Sequence, residues 1–127
     1  MDQRIAKITD SEILILKAFW ANSHELTVNE LVAAMSLDCD WNRSTIKTLV
    51  RRLIDKKIVT CIQRDVQYFS PLITEQQYRD HQTSKLIDQE YHGKASKLIA
   101  SLYEHRKLDP DDIKELRRLL EYGDRNE

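Results

Sequence analysis

Between positions 41 and 64 the chain carries seven bases, Arg43, Lys47, Arg51, Arg52, Lys56, Lys57 and Arg64, against a single acid, Asp55. Among them stand Asn42, Ser44, Thr45 and Thr48, which donate and accept hydrogen bonds. Lys and Arg bind phosphate and read guanine, Ser and Thr bond to bases or phosphates, and a Thr methyl can meet the methyl of thymine. This is the chemistry of a surface that touches nucleic acid. The formal net charge of the whole chain is only −1, with a pI of about 6.4. That total hides a partition: residues 9–40 hold six acids and one base, and residues 104–127 hold eight acids and six bases. A local basic patch, not the whole-chain pI, attracts phosphates. A merely solvated cationic face is the blander reading, and the concentration of bases beside an expected hairpin weighs against it.

The patch needs a scaffold, and the flanking residues predict one. Asn42 is a good N-cap. The helix it opens has Ile46, Leu49, Val50, Leu53 and Ile54 on one face. Arg43, Ser44, Lys47, Thr48, Arg51 and Asp55 lie largely on the other, and Thr45 is near the border. Arg51 and Arg52, further along, are placed for phosphates. Trp41 has two readings: a wedge packed under this helix, or an indole N–H donor to the DNA backbone. Upstream, Thr9-Asp10-Ser11-Glu12 is a capping box. It opens a helix to Ala21 with Ile13, Leu16, Phe19 and Trp20 buried, followed by a turn at residues 22–24. Glu25-Leu26 is a very short strand. A second box, Thr27 to Glu30, starts a helix with Val28, Leu31, Val32 and Met35 inward, and residues 36–40 form a turn. Downstream, residues 58–63 and 67–70 are rich in β-formers and predict a hairpin ended by Pro71. Arg64 sits at its tip, within reach of a DNA backbone or minor groove. Helix, short strand, helix, basic helix and hairpin form the layout of a winged helix, whose recognition helix enters a major groove.

The remainder predicts three more helices. One starts at Thr74 and runs to about His92, where Gly93 interrupts. The next covers Ala95 to Arg106. The last is capped by Asp109 with Pro110 at its first position, and it ends at Gly123 before a frayed tail. Their apolar residues include Leu86, Ile87 and Tyr91. The stripe continues through Leu98, Ile99, Leu102, Tyr103, Ile113, Leu116, Leu119 and Leu120, the residues assigned to dimerisation. Part of this stripe is expected to pack within the chain and the rest against a second copy. A two-fold homodimer would present two recognition helices to palindromic double-stranded operator DNA. The fold class expected is mainly α with a small β-hairpin: a winged helix-turn-helix plus a C-terminal helical dimerisation segment. The domains are 1–73 for DNA binding and 74–127 for dimerisation. Two glycines and two prolines are too few for an all-β chain.

Other classes fare worse. Two glycines cannot supply a phosphate-cradling loop, and His24, His81, His92 and His105 show neither an HExxH pattern nor a pairing with cysteine. No enzyme activity, metal or cofactor is therefore expected. Cys39 and Cys61 are isolated, and bland thiols are the more frequent case, with oxidant or metal sensing the alternative. No apolar run approaches the ~18–20 residues that span a bilayer, and no signal-peptide pattern is present. No membrane partner is expected, and the expected location is the cytoplasm. A winged helix used only to bind protein is the rival that survives, though it would not need a cationic recognition face.

The chain resembles the penicillinase and methicillin-resistance repressors, whose sister branch is the copper-transport operon repressors. Residues 8–12 with Trp20, the central run from Asp40 to Leu53, Lys56-Lys57, Tyr68-Phe69-Ser70 and residues 108–116 carry the resemblance. The central run is similar to the family's W-x-x-x-T-[IV]-[KR]-T-L-[IVL]-x-R-L signature. The resemblance implies a homodimeric winged-helix repressor with interlocking C-terminal helices, controlling antibiotic resistance or copper homeostasis. It implies base and phosphate contacts from positions matching Ser44, Thr45, Lys47, Thr48 and Arg52. It also implies a sensor-controlled protease as partner, because the penicillinase branch is cut at an Asn-Phe bond; the matching position here is Ser101-Leu102. The copper branch binds metal through C-x-C motifs, and none occurs in this sequence.

Overall fold

Four reciprocal boxes and one single cap set where the helices begin. Thr9 Oγ1 accepts from Glu12 N (3.2 Å) and Glu12 Oε1 accepts from Thr9 N (3.0 Å). Thr27 with Glu30, Thr74 with Gln77 and Asp109 with Asp112 repeat the exchange, and Asn42 Oδ1 accepts from Thr45 N. Each satisfies amides that a helix start leaves without an internal partner.

The computed structural model describes residues 3–22, 25–37 and 39–123. Its elements run α1 (Gln3–Ala6), α2 (Asp10–Asn22), α3 (Val28–Met35), α4 (Arg43–Asp55), β1 (Val59–Gln63), β2 (Gln67–Pro71), α5 (Glu75–Glu90), α6 (Ala95–Glu104) and α7 (Pro110–Tyr122). The predicted turn at 22–24 and the tail from 124 lie partly or wholly outside the described residues, as does Asp38 in the turn before α4. α1 has no counterpart in the sequence reading, because one turn is too short to show a period. Pro71 closes β2 as its last residue.

The chain divides into two compact units, one reaching to Gln82 and one starting at Thr83. In the first, α2, α3 and α4 bury Ile13, Ile15, Leu16, Phe19, Leu31, Met35, Ile46, Leu49, Val50 and Leu53 together. Each such side chain contributes about 1.5–3 kcal/mol relative to exposure. β1 and β2 pair antiparallel, with Cys61 opposite Phe69 and Gln63 opposite Gln67. On its other side Phe69 exchanges both backbone hydrogen bonds with Leu26 (2.8 and 2.9 Å), so the expected short strand is a one-residue bridge. Trp20 is half-buried; its indole donates to the Ile73 carbonyl (3.2 Å) and its ring lies 5.7 Å from that of Tyr78.

α5 belongs to both units. Its first turns pack Tyr78 against the core and bury His81, which is why the division falls inside α5 and not at residue 74. In the second unit α5 ends in two left-handed residues, His92 (φ 52°) and Gly93 (φ 80°), with Gly93 N bonded to the Ile87 carbonyl. α6 ends likewise: Arg106 is left-handed (φ 56°), and Lys107 N reaches the Leu102 carbonyl at 2.8 Å. No residue of α6 or α7 is buried, and the two do not pack along their lengths. The expectation that the last helices cover part of their own stripe is corrected for this pair: each stays short, with its stripe at best half-buried.

Candidate nucleic-acid interface

α4 is held by its apolar side. Ile46, Leu49, Val50 and Leu53 are buried, and this turns Arg43, Ser44, Lys47, Thr48, Arg51 and Arg52 outward, all of them exposed. Thr45 is half-buried at the border. Arg43, Ser44, Lys47, Thr48 and Arg51 line one shallow groove on the outer face, and Arg52 lies outside it. Thr48 Oγ1 donates to the Ser44 carbonyl (3.0 Å), so its hydroxyl proton is spent inside the helix and it presents an acceptor and a methyl outward.

Several groups that matter here were missed from the sequence. Asn29, in the first turn of α3, accepts from the Arg43 guanidinium through Oδ1 and so braces the first cation of α4. With Thr27, Gln63, Val66 and Gln67, Asn29 lines a second groove, which runs from the start of α3 past Arg43 and Lys47 to the hairpin. No local pattern shows these partners, because they meet only once α3, α4 and the hairpin are assembled.

Two cations sit differently from a bare reading of charge, and Trp41 takes the packed one of its two readings. Arg64 is tied to Glu25 by an ion pair and lies over the Tyr68 ring at 5.2 Å. Its side chain is 53% exposed, so it reaches a ligand only by leaving or sharing Glu25. Lys56 is internal: Nζ donates to Glu12 Oε1 (2.6 Å), Glu12 Oε2 (2.9 Å) and the Lys7 carbonyl (2.8 Å). Trp41 is half-buried and packed against the core, immediately before the Asn42 cap. Lys47, Arg51 and Arg52, in contrast, have no acidic partner among the described residues. The net result is a cationic helix face that no acid among the described residues neutralises.

No group of three or more His, Cys, Asp or Glu among the described residues could hold a metal ion, and no described helix is long and apolar enough to cross a membrane. Cys39 and Cys61 are free and half-buried.

A capped helix presented outward across a preceding helix, with a two-stranded wing behind it, defines a winged helix-turn-helix protein. The penicillinase repressor family model matches residues 8–122, and the chain belongs to that family. It is 27% identical over 120 residues to the penicillinase repressor of Bacillus licheniformis, covering 94% of this chain and 93% of that one. It is 26% identical over 122 residues to the methicillin resistance regulatory protein MecI of Mammaliicoccus sciuri, covering 94% and 98%. Among solved structures it is similar to monomeric Bacillus licheniformis BlaI in complex with the blaP half-operator. The TM-score is 0.50 and the identity 30%, over 57% of this chain and 88% of that one.

Proposed function

We propose that this protein is a homodimeric transcriptional repressor that binds palindromic operator DNA, with α4 in the major groove and the hairpin beside it. The observation that carries the reading is the outer face of α4, where Lys47, Arg51 and Arg52 stand beside Ser44 and Thr48 with no acidic partner among the described residues. Family membership and the BlaI half-operator complex support it. Base contacts are assigned to Arg43, Ser44, Thr45, Lys47 and Thr48, and phosphate contacts to Asn42, Arg51 and Arg52. Arg64 contributes after release from Glu25, and Trp41 supports the helix start. Two copies are joined through the apolar residues of α6 and α7, of which Ile99, Tyr103, Leu119 and Leu120 are exposed in the single chain.

Titration of the full chain against a duplex library at two salt concentrations tests this. A dimer neutralising roughly 6–10 phosphates loses ~10³–10⁵ in affinity between about 50 and 200 mM salt. A chain that binds no duplex at the lower salt overturns the reading.

A further inference from the structure

Between α4 and the hairpin lies a cleft of about 220 Å³ whose apolar side the DNA reading leaves unused. Its lining includes Val50, Ile54, Phe69 and Cys61. Lys47 and Arg51 line the same cleft and lack acidic partners among the described residues. A bare inorganic anion would meet Lys47, Arg51 and Gln67 but leave the apolar walls uncovered. Two unpaired cations at the edge select against a neutral hydrocarbon. The volume sets the size: an apolar cavity of about 150 Å³ accepts a benzene ring, so this one takes a ring with a carboxyl and one small substituent.

We propose that this cleft binds a small aromatic monocarboxylate of about ten non-hydrogen atoms, its ring against Ile54 and Phe69 and its carboxylate on Lys47 and Arg51. Occupancy would engage two of the cations offered to DNA and cancel one unit of their charge, so the acid and the duplex compete. The binding site stands on the cleft alone, whereas the competition rests on the proposed function.

The probe is 4-methylbenzoate, with the uncharged 4-methylbenzamide as its shape match. The readout is the rate at which iodoacetamide alkylates Cys61 in the full chain without DNA, with Cys39 as internal reference. The acid is expected to slow Cys61 several-fold, with half-protection at about 1 mM, as suits a ligand of this size, and to leave Cys39 unchanged. The amide should protect at least tenfold less well. The paired exposed substitutions Lys47→Gln and Arg51→Gln should abolish the preference for the acid over the amide, each protection being measured against that variant's own unliganded Cys61 rate. No protection at 20 mM, or equal protection by the amide, overturns the site. In a second arm the acid should lower duplex affinity tenfold or more at saturation and, by occupying the phosphate contact of Arg51, reduce the salt slope by roughly 0.9 per copy. Protection of Cys61 with unaltered DNA binding overturns the competition. A chain that binds no duplex even without the acid refutes the repressor reading and leaves the thiol result to judge the site.

Discussion

At the scale of single residues, the charges divide by whether they have a partner. Lys47 has none among the described residues and lines the grooves. Lys47→Ala should weaken specific duplex binding about tenfold to a hundredfold and leave the melting temperature nearly unchanged, since it removes no core contact; loss of folding would mean that the face is misassigned. Lys56 is the opposite case. It meets Glu12, which is 0% exposed, and Lys56→Met strands that carboxylate. Urea unfolding should show a loss of about 3 kcal/mol, much of it restored when Glu12→Leu is added. Tyr78 supplies a pH dependence. Burial, and secondarily the nearby Asp10 carboxylate, push its phenol above the ordinary 10.0. The fold thus favours the protonated form, and that stability is complete below pH 10 and is lost as pH rises through the raised value. Thermal melting should therefore fall more steeply above pH 10 in the natural chain than in Tyr78→Phe.

At the scale of elements, helix starts were legible because a cap is a local contract between residues three apart. Thr9 and Glu12, Thr27 and Glu30, Thr74 and Gln77, and Asp109 and Asp112 are spaced as their hydrogen bonds require. The outward face of α4 was legible for the same reason, through its 3.6-residue period. What escaped were pairs formed across the chain: Arg43 with Asn29, Arg64 with Glu25, Lys56 with Glu12. Spacing in sequence says nothing of these, so Lys56 and Arg64 counted as surface cations. Ile15 also escaped, because α2 buries a wider stripe than the four expected residues. The end of α4 has its own consequence. Lys57 is left-handed (φ 62°), and Ile58 N bonds to the Leu53 carbonyl (2.9 Å), a closure that glycine fits without strain. Lys57→Gly should raise unfolding stability by about 0.5–1 kcal/mol, readable as a shifted urea midpoint with an unchanged slope.

At the scale of the whole molecule, the first unit owns a core and the second does not. Leu120 is 74% exposed and Tyr103 65%, and the helices that carry them bury nothing. Ten- and thirteen-residue helices are marginal on their own in water, so α6 and α7 need an outside surface. Leu116→Asp, on the half-buried line of α7, should give monomers by sedimentation and a much weaker grip on operator DNA. A sedimentation profile identical to the natural chain would remove α7 from the interface. The Ser101–Leu102 bond lies mid-α6, and a protease needs that backbone extended. Cutting there should be fast in the monomeric variant and slow in the assembled protein.

The opening residues fasten the far end of the recognition helix. Arg4 donates to the Lys57 carbonyl at 2.7 Å and the Lys7 carbonyl receives Lys56, so the amino-terminal strap and the reader share one knot. A variant that unties it, Arg4→Ala, would let the last turn of α4 fray, and its duplex affinity should fall below that of the natural chain.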